Sequence, residues 1–331
     1  THIVGYVGPV SDRDLSRIEN PAPVLQFPGF QIGKTGIELF VEDRLRGAAG
    51  TSQVEVNSAG RVIRELSRED GINGANLQLT IDSDLQHYAK YRLGDESAAT
   101  VVMDIHSGNI RALASAPSFD PKKFIFGISN EDWNQLLNNE FRPLADKTIS
   151  GAYPPGSTFK MMVAFAALEE GLIDPEEKIN CPGYYDLGNR RFHCWRRGGH
   201  GHVDLAHSLR SSCDVYYYDI AQRVGIDKIS EMANRLGIGV KHQLPVPAIT
   251  PGLTPTRAWK QARYDEAWQL GDTLNSGIGQ GFMLASPLQL AVMVSRIATG
   301  RDVVPRLVRA VDGAPNLPSE PDPSLELNPE G

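Results

Sequence analysis

A serine and a lysine that lie three residues apart, Ser157 and Lys160, are the first pair in the sequence that could carry out chemistry. Their spacing places both side chains on one face of a helix. A serine hydroxyl is a weak nucleophile at neutral pH, and it becomes effective beside a base such as a buried, neutral lysine. The free backbone N–H groups where the helix begins would stabilise an oxyanion that forms nearby. The pair therefore predicts a serine nucleophile that attacks an acyl group.

A second polar pair, Ser212 and Asp214, comes later in the chain, directly before a segment with helical character. Its hydroxyl and carboxylate could lie beside Ser157 and Lys160. An anion there would favour the charged form of Lys160, so the lysine would have to pass a proton to Asp214 or through Ser212 before it acts as a base. For both pairs the structural alternative is helix capping, because serine and aspartate are common first residues of helices.

All three cysteines of the chain lie in one short segment, and a histidine lies between two of them. The pattern C-x12-C-x5-H-x12-C places them at Cys181, Cys194, His200 and Cys213. Three thiolates and one imidazole form a closed tetrahedral set for a structural zinc ion and leave no open position for water. One disulfide with a spare thiol, or three buried free thiols, are the alternatives, and His193 and His202 are rival imidazoles. Because Cys213 lies between Ser212 and Asp214, a metal ion here would hold the second polar pair in place.

The composition excludes several classes of function. The chain has 331 residues, of which 41% are hydrophobic, and this is enough for a large core. Its net charge is −7 and its 33 Lys and Arg residues are scattered, so we expect no nucleic-acid partner. No apolar run approaches the roughly 20 residues that span a bilayer. The start at Thr1, without methionine or signal pattern, suggests a fragment of a longer protein.

The elements that must position these residues divide the chain into residues 1–74 and residues 75–331. The first part should contain short helices and short strands. Apolar alternation predicts a hairpin over Val54–Leu66, and the apolar pattern of Gly36–Gly47 predicts a helix. Thr1–Gly8 has strand character. We place the boundary near Asn73–Asn76, where the pattern changes.

The second part carries the candidate site residues. It should contain a strand at Leu77–Ile81, a helix that begins at Asp82 or Ser83, and a hairpin whose turn is His106–Asn109. After Pro-Pro-Gly, a helix from Ser157 to Glu170 is apolar on nearly all sides and should therefore be buried. Further helices are predicted at Asp214–Arg223 and Ser286–Ile297, and a proline-rich loop or linker at Asp312–Gly331.

Several long motifs, in this order, resemble those of class B penicillin-binding proteins, and particularly the branch that acts in cell elongation. The resemblance covers nearly the whole chain and rests on THIVGYVG, GAYPPGSTFK, GHGHVDLAHSLRSSCDVYYYDIA, PGLTPTRAWK and GDTLNSGIGQGFMLASPLQLA. It implies an α+β penicillin-binding, serine transpeptidase fold, with an antiparallel sheet flanked by helices and a buried central helix that begins at the nucleophile. Residues 1–74 would belong to a β-rich pedestal module of the dimerisation type, and residues 75–331 to the transpeptidase domain.

The resemblance also implies a function and a cellular place. Ser157 corresponds to the acylated nucleophile and Lys160 to its base, while Ser212 and Asp214 occupy the second motif, where the wider superfamily usually has asparagine instead of Asp214. The substrates would be peptidoglycan stem peptides, the inhibitors β-lactam antibiotics, and a partner a RodA-type glycosyltransferase. The enzyme would act at the periplasmic face of the bacterial inner membrane, on an N-terminal anchor. Some relatives carry a zinc site of mixed aspartate, histidine and cysteine ligands in the region of the cysteines.

Two other functions share parts of this pattern. A serine β-lactamase or penicillin sensor would use the same serine and lysine, but no deacylating base is evident and the N-terminal module is long for that class. A non-catalytic cell-wall scaffold would use residues 1–74 to bind a partner. Rapid or slow release of a bound penicillin separates the first alternative from a transpeptidase, and absence of covalent labelling would indicate the second.

One further motif lies in an unexpected position. Lys-Thr-Gly is the third catalytic motif of this family and follows the second one in the chain, but here it occurs only at Lys34–Gly36. Relatives carry a similar G-K-x-G-I-E segment in the pedestal module. We therefore interpret Lys34–Gly36 as a coincidence inside that module and expect the true K-T/S-G strand to be missing from the C-terminal part of this chain.

Overall fold

The computed structural model describes residues 1–316 and 322–327. In the N-terminal part, two antiparallel strand pairs are joined by short helices, and the predicted hairpin is confirmed, with its turn after Val56. The bounds are β1 Val7–Pro9, α1 Asp12–Leu15, a 3-10 helix Pro23–Gln26, β2 Gln31–Gly33, α2 Gly36–Phe40, α3 Glu42–Arg46, β3 Thr51–Val56 and β4 Val62–Glu69.

Two predicted elements of this part differ from the structure. The helix predicted over Gly36–Gly47 is broken at Val41, whose φ of −116° and ψ of 24° are not helical, so α2 and α3 are separate. The strand predicted within Thr1–Gly8 begins only at Val7, because a turn closed by a hydrogen bond from Gly5 N to Thr1 O precedes it.

The C-terminal part begins with the predicted strand, helix and hairpin, and all three are confirmed. The helix begins after Asp82, whose carboxylate accepts from the N–H groups of Asp84 and Leu85. The hairpin strands are antiparallel; the helix packs on one of them and a later helix packs on the other. The bounds are β5 Leu77–Leu79, α4 Ser83–Leu93, β6 Ala98–Met103, β7 Ile110–Ala116, a 3-10 helix Pro121–Phe124 and α5 Asn130–Leu137.

The core of this part forms around one apolar helix, α6 (Lys160–Glu169), which packs against three other α-helices. Met162, Val163 and Ala167 are fully buried, as expected for a helix that is apolar on nearly all sides. The α-helix begins at Lys160, however, three residues later than the predicted start at Ser157. Ser157 lies one turn earlier, in a 3-10 helix, Gly156–Phe159, that runs directly into α6.

The segment that carries the cysteines folds into two small antiparallel strand pairs followed by helices. β8 pairs with β11 and β9 with β10. The bounds are β8 Ile179–Cys181, β9 Tyr184–Leu187, β10 Arg190–His193, β11 Gly201–Val203, α7 Leu205–Ser211, α8 Asp214–Val224 and α9 Ile226–Arg235.

The remaining helices and strands follow α9 in the chain, and the last of them form a small sheet with β5. The helix predicted at Ser286–Ile297 is confirmed and begins with a capping box at Ser286. Strand β12 pairs with β5 and with the short β13. Apart from β13, the described residues of the loop predicted over Asp312–Gly331 form no helix or strand, and residues 317–321 and 328–331 of that loop lie outside the described residues. The bounds are α10 Arg257–Tyr264, α11 Leu270–Gly277, α12 Pro287–Thr299, β12 Val308–Val311 and β13 Ala314–Pro315.

The structure is an α+β fold, and this part of the prediction is confirmed. The boundary between residues 1–74 and 75–331 stays a prediction. Among the described residues, no helix is both long enough and apolar enough to cross a bilayer.

Candidate active site

The candidate nucleophile Ser157 lies on an exposed turn whose backbone is tightly held. The N–H of Gly156 donates to the carbonyl of Gly279 at 2.9 Å. Gly279 has a φ of +70°, and a Cβ at this position would lie 2.2 Å from the Gly156 oxygen, so only glycine fits here. The serine hydroxyl therefore projects into the cleft from a fixed backbone.

Three of the predicted catalytic residues meet at the amine of Lys160, which is only 1% exposed. Its Nζ donates to Ser212 Oγ and to the Ser212 carbonyl, both at 2.9 Å, and to Asp214 Oδ1 at 2.7 Å. Ser212 Oγ lies 2.8 Å from Ser157 Oγ. The four side chains named by sequence reasoning therefore form one continuous hydrogen-bonded chain that ends at the exposed Ser157 hydroxyl.

The second polar pair lies at the junction between α7 and α8. Ser212 has a φ of +51° and a ψ of +46°, the left-handed conformation that a non-glycine residue adopts at a cost. This conformation ends α7, and Asp214 begins α8 two residues later. The junction points Ser212 and Asp214 toward Lys160 and places Cys213 among the other two cysteines and His200.

The cysteine side of this junction brings the four predicted metal ligands together. One donor atom from each residue lies within 4.8 Å of the others, and two thiols lie 3.6 Å from the His200 Nδ1 atom. Donor atoms bound to a tetrahedral zinc ion lie roughly 3.5 to 3.8 Å apart, which this spacing resembles. All three cysteines are within the described part of the chain, and none forms a disulfide. The four residues are Cys181, Cys194, His200 and Cys213.

Burial shifts the pKa values of three members of this cluster. Burial raises the pKa of the Cys213 thiol well above its ordinary value and raises that of Cys194 as well. Burial, together with the neighbouring Arg196 charge, lowers the pKa of His200. Thiols and an imidazole that converge in this way form a site where a bound divalent cation would deprotonate the thiols.

A residue that sequence reasoning missed, Trp195, joins the cluster to the hydrogen-bonded chain. Its backbone N–H donates to Asp214 Oδ2 at 2.8 Å, and its indole N–H donates to the carbonyls of Ser211 and Ser212 at 3.1 Å. Its ring packs edge-on against His200. The sequence feature that could have identified Trp195 is its position directly after Cys194.

These side chains line an open cleft of about 620 Å³. Ser157, Ser212 and Asp214 contribute the polar floor, and Trp195, Arg197, His193 and Gln280 contribute part of the wall. The rival imidazoles do not join the metal cluster: His193 is exposed on β10 and His202 is exposed on β11.

The Lys-Thr-Gly triplet at Lys34–Gly36 lies in the N-terminal part, directly after β2, and its Gly36 is the first residue of α2. Lys34 forms an ion pair with Asp14 there. A Cβ on Gly36, whose φ is +61°, would lie 2.5 Å from the Ile3 carbonyl oxygen, so this glycine serves the packing of the turn. The structure gives the triplet no contact with the chain of Ser157 and Lys160.

Two family comparisons cover most of the sequence. Residues 98–329 match the penicillin binding protein transpeptidase domain. Residues 1–79 match the penicillin-binding protein dimerisation domain.

Curated relatives are similar over almost all of this chain. The peptidoglycan D,D-transpeptidase MrdA of Haemophilus influenzae is 40% identical over 328 residues, which are 98% of this chain and 50% of that protein. The protein of the same name from Escherichia coli is 38% identical over 93% of this chain and 49% of its own length. The chain therefore spans about half the length of the curated relatives that it matches.

Solved structures show the same fold. The structure of Pseudomonas aeruginosa PBP2 in complex with WCK 5153 has a TM-score of 0.84 and 36% identity, and covers 99% of this chain and 69% of that one. PBP2 in its complex with MreC from Helicobacter pylori has a TM-score of 0.87 and 32% identity, over 96% of this chain and 59% of that one. The expected transpeptidase fold and the resemblance to the cell-elongation branch are confirmed. The chain belongs to the penicillin-binding protein transpeptidase family.

Proposed function

We propose that this chain carries the acylation site of a peptidoglycan D,D-transpeptidase that cross-links stem peptides during cell elongation. The observation that carries the proposal is the continuous chain from Ser157 Oγ through Ser212 Oγ to the buried Lys160 amine and Asp214. A serine connected in this way to a lysine can lose its proton as it attacks a carbonyl. The similarity to MrdA proteins, named for this activity, supports the substrate class.

The hydrogen-bonded chain defines a route for the proton. In the arrangement described here, Lys160 donates to three oxygen atoms, so its amine must lose a proton before it can accept one. Transfer of one proton to Asp214, 2.7 Å away, leaves a neutral amine. As Ser157 Oγ forms its bond to the D-Ala-D-Ala carbonyl carbon, its proton passes through Ser212 Oγ to that amine.

Acylation of Ser157 and transfer of the acyl group to a second stem peptide use the same residues, and the protons move in opposite directions in the two steps. The proton held by the Lys160–Asp214 pair goes to the D-alanine nitrogen as the peptide bond breaks, and an ester on Ser157 remains. The amine of a neighbouring stem peptide then attacks the ester carbon and gives one proton to the Lys160 amine. As the new peptide bond forms and the bond to Ser157 Oγ breaks, a proton returns through Ser212 Oγ to Ser157. The N–H of Ser157, in the turn before α6, is a donor for the oxyanion.

The proposal includes one structural zinc ion at the cluster of Cys181, Cys194, His200 and Cys213. The converging donors fit a closed four-ligand site, which supplies structural cross-linking and no bound water for hydrolysis. Because Cys213 lies between Ser212 and Asp214, these ligands would hold the α7–α8 junction in the conformation that faces Lys160.

The proposed partners and location follow from the substrate. Stem peptides place the enzyme at the periplasmic face of the inner membrane, with β-lactams as covalent inhibitors. A similar PBP2 from Helicobacter pylori occurs in a complex with MreC, and another similar chain belongs to a structure of a peptidoglycan synthase complex that coordinates polymerization and crosslinking. Both support elongation proteins as partners of this one. A RodA-type glycosyltransferase would supply the glycan strands.

Covalent labelling tests the proposal. Treatment with benzylpenicillin followed by peptide mapping should place one acyl group on Ser157, and Ser157→Ala should remain unlabelled. Ser67→Ala, which removes an exposed hydroxyl from β4, is the matched control and should label like the parent. A parent protein that is not labelled would refute the proposal.

Two further measurements separate the alternatives. Release of the acyl group over hours supports a transpeptidase, whereas release within seconds would indicate a β-lactamase. If the carboxylate of Asp214 takes part in proton transfer, Asp214→Asn should change the pH–acylation profile, and an unchanged profile would exclude that role.

A further inference from the structure

The loop between Cys194 and His200 carries positive charge that the proposed reaction does not use. Residues 190–203 contain four arginines and three histidines and no acidic residue, in a chain whose net charge is −7. Two of these arginines, Arg196 and Arg197, are adjacent and exposed on the loop. We call them the arginine pair.

The arginine pair is free to bind an anion. Arg191, on the neighbouring strand, is already paired with Asp186, with Nε 2.7 Å from Oδ1. Within residues 1–316 and 322–327, by contrast, neither Arg196 nor Arg197 lies within ion-pair distance of a carboxylate. An exposed guanidinium without a partner offers a planar set of N–H donors that matches a carboxylate.

The backbone under the arginine pair is held in place at both ends. Cys194 N donates to Gly183 O at 2.9 Å, and His200 N donates to Cys181 O at 3.0 Å. Between them, Gly199 N donates to Arg196 O at 2.9 Å. The loop therefore presents its two side chains from a fixed position, which reduces the entropy lost on binding.

Arg197 lines the same cleft as Ser157. The carboxylate that also lines this cleft, Asp214, is occupied by Lys160 and by the Trp195 N–H. The unpaired charge on this wall of the cleft is therefore positive, and it would attract and orient an anionic substrate.

We propose that Arg197, assisted by Arg196, binds a carboxylate of the substrate that lies outside the scissile D-Ala-D-Ala end. This inference rests on the proposed function, because it concerns the same cleft. The ligand is an acidic peptide, and the free α-carboxylate of a γ-linked D-glutamate in the stem peptide has the required chemistry. Arg197 is then a residue that determines specificity and takes no part in the proton transfer.

A pair of substrates tests this assignment in the intact, metal-loaded protein. The first is a stem pentapeptide with a free glutamate α-carboxylate, and the second is the same peptide with that carboxylate amidated. For Arg197→Gln, KM for the acidic peptide should rise about fivefold to tenfold while kcat changes little, as expected when one charge-assisted hydrogen bond is lost. KM for the amidated peptide should stay within twofold.

Three variants make the result specific. Arg197→Lys should recover part of the loss, because a positive charge remains without the planar fork. Arg197→Glu should lower the ratio of kcat/KM values for acidic and amidated peptide further. Arg13→Gln changes the net charge equally, at an exposed position on α1, and should behave like the parent.

The outcomes of the proposed function and of this inference are distinguishable. Benzylpenicillin should acylate Ser157 in Arg197→Gln at the parental rate, and its zinc content and melting temperature should be parental. If the parent is not acylated, the proposed function fails. The carboxylate assignment is wrong if benzylpenicillin acylates Arg197→Gln at the parental rate and kcat/KM falls equally for both peptides. It is also wrong if kcat/KM falls for neither peptide.

Discussion

The chain contains two lysine–aspartate pairs in motifs that look catalytic, and they differ in what surrounds them. Lys34 of the Lys-Thr-Gly triplet pairs with Asp14, and their side chains are 19% and 21% exposed. Lys160 pairs with Asp214, and there the exposed fractions are 1% and 13%. Lys160 also donates to the hydroxyl of Ser212, which is itself hydrogen-bonded to Ser157. Among the described residues, Lys34 has no such connection to a pair of serines.

This difference indicates which of the two ion pairs could support the proposed reaction. Lys34 and Asp14 neutralise each other at a partly exposed position and contribute local stability. Lys160 shares its three protons among Asp214 and the two oxygens of Ser212, in a position where burial makes an unpaired charge costly. The second pair therefore has a route for a proton, whereas the first has none.

The largest effect should follow from removal of the link between Lys160 and Ser157. Ser212→Ala leaves both residues in place but interrupts the chain of hydroxyls, so the acylation rate by benzylpenicillin should fall about 10²- to 10³-fold. Stopped-flow acylation kinetics measure this. Ser211→Ala, one residue earlier at the end of α7, is the matched control and should retain the parental rate. A Ser212→Ala protein that acylates normally would contradict the proton route.

The next effect concerns the proposed zinc site. The intact parent and His202→Ala should each hold one zinc ion per chain by elemental analysis, and His200→Ala should hold none, because only His200 converges with the three thiols. Loss of the ion should lower the acylation rate about 10- to 100-fold, through the α7–α8 junction. A zinc-free parent with a Cys181–Cys194 disulfide would show that the cluster is not a metal site.

A smaller effect is expected at Trp195. Trp195→Phe keeps an aromatic ring against His200 but loses the indole hydrogen bonds to the carbonyls of Ser211 and Ser212, so the acylation rate constant should fall about tenfold. Zinc content and the noncovalent binding constant of the penicillin should not change. Trp133→Phe, on the distant helix α5, is the control. Equal losses in both variants would indicate a general loss of stability.

The smallest effect on chemistry is expected at the Lys-Thr-Gly triplet. Burial opposes the ionisation of Asp14, but hydrogen bonds from Lys34 and Ser11 outweigh it and lower the pKa of Asp14 to about 2. A depressed carboxyl pKa stabilises the fold above the unfolded value of about 3.9, and this contribution is lost as the pH falls toward about 2.

Lys34→Met should therefore lower the free energy of unfolding at pH 7 by about 1–2 kcal/mol, with a smaller difference from the parent near pH 2. Urea unfolding at several pH values measures this. Its acylation rate should stay parental, and a large loss of acylation would mean that the triplet acts in catalysis after all.

The sequence predicted most of the fold where local signals were strong. Turn residues marked the β3–β4 and β6–β7 hairpins, and capping residues marked where α4 and α12 begin. It failed where the conformation depends on tertiary contacts. The 3-10 turn at Ser157, held by Gly279 from far along the chain, could not be read from helix propensity, which extended α6 back to the serine.

In the candidate site, too, local sequence signals identified some residues, and tertiary contacts determine the others. Motif spacing named Ser157, Lys160, Ser212 and Asp214, and the structure brings them together. Trp195 was missed, because its contribution comes from a backbone N–H and an indole N–H whose partners are set only by the folded loop.

The most direct test of the proposed role of Lys160 compares the two lysines in one experiment. The second-order rate of acylation by benzylpenicillin should be measured for the parent, Lys34→Met and Lys160→Met, with unfolding curves to confirm that each protein is folded. We expect a parental rate for Lys34→Met and a loss of at least about 10³-fold for folded Lys160→Met. A folded Lys160→Met protein that acylates at the parental rate would contradict the central claim that Lys160 accepts the proton of Ser157.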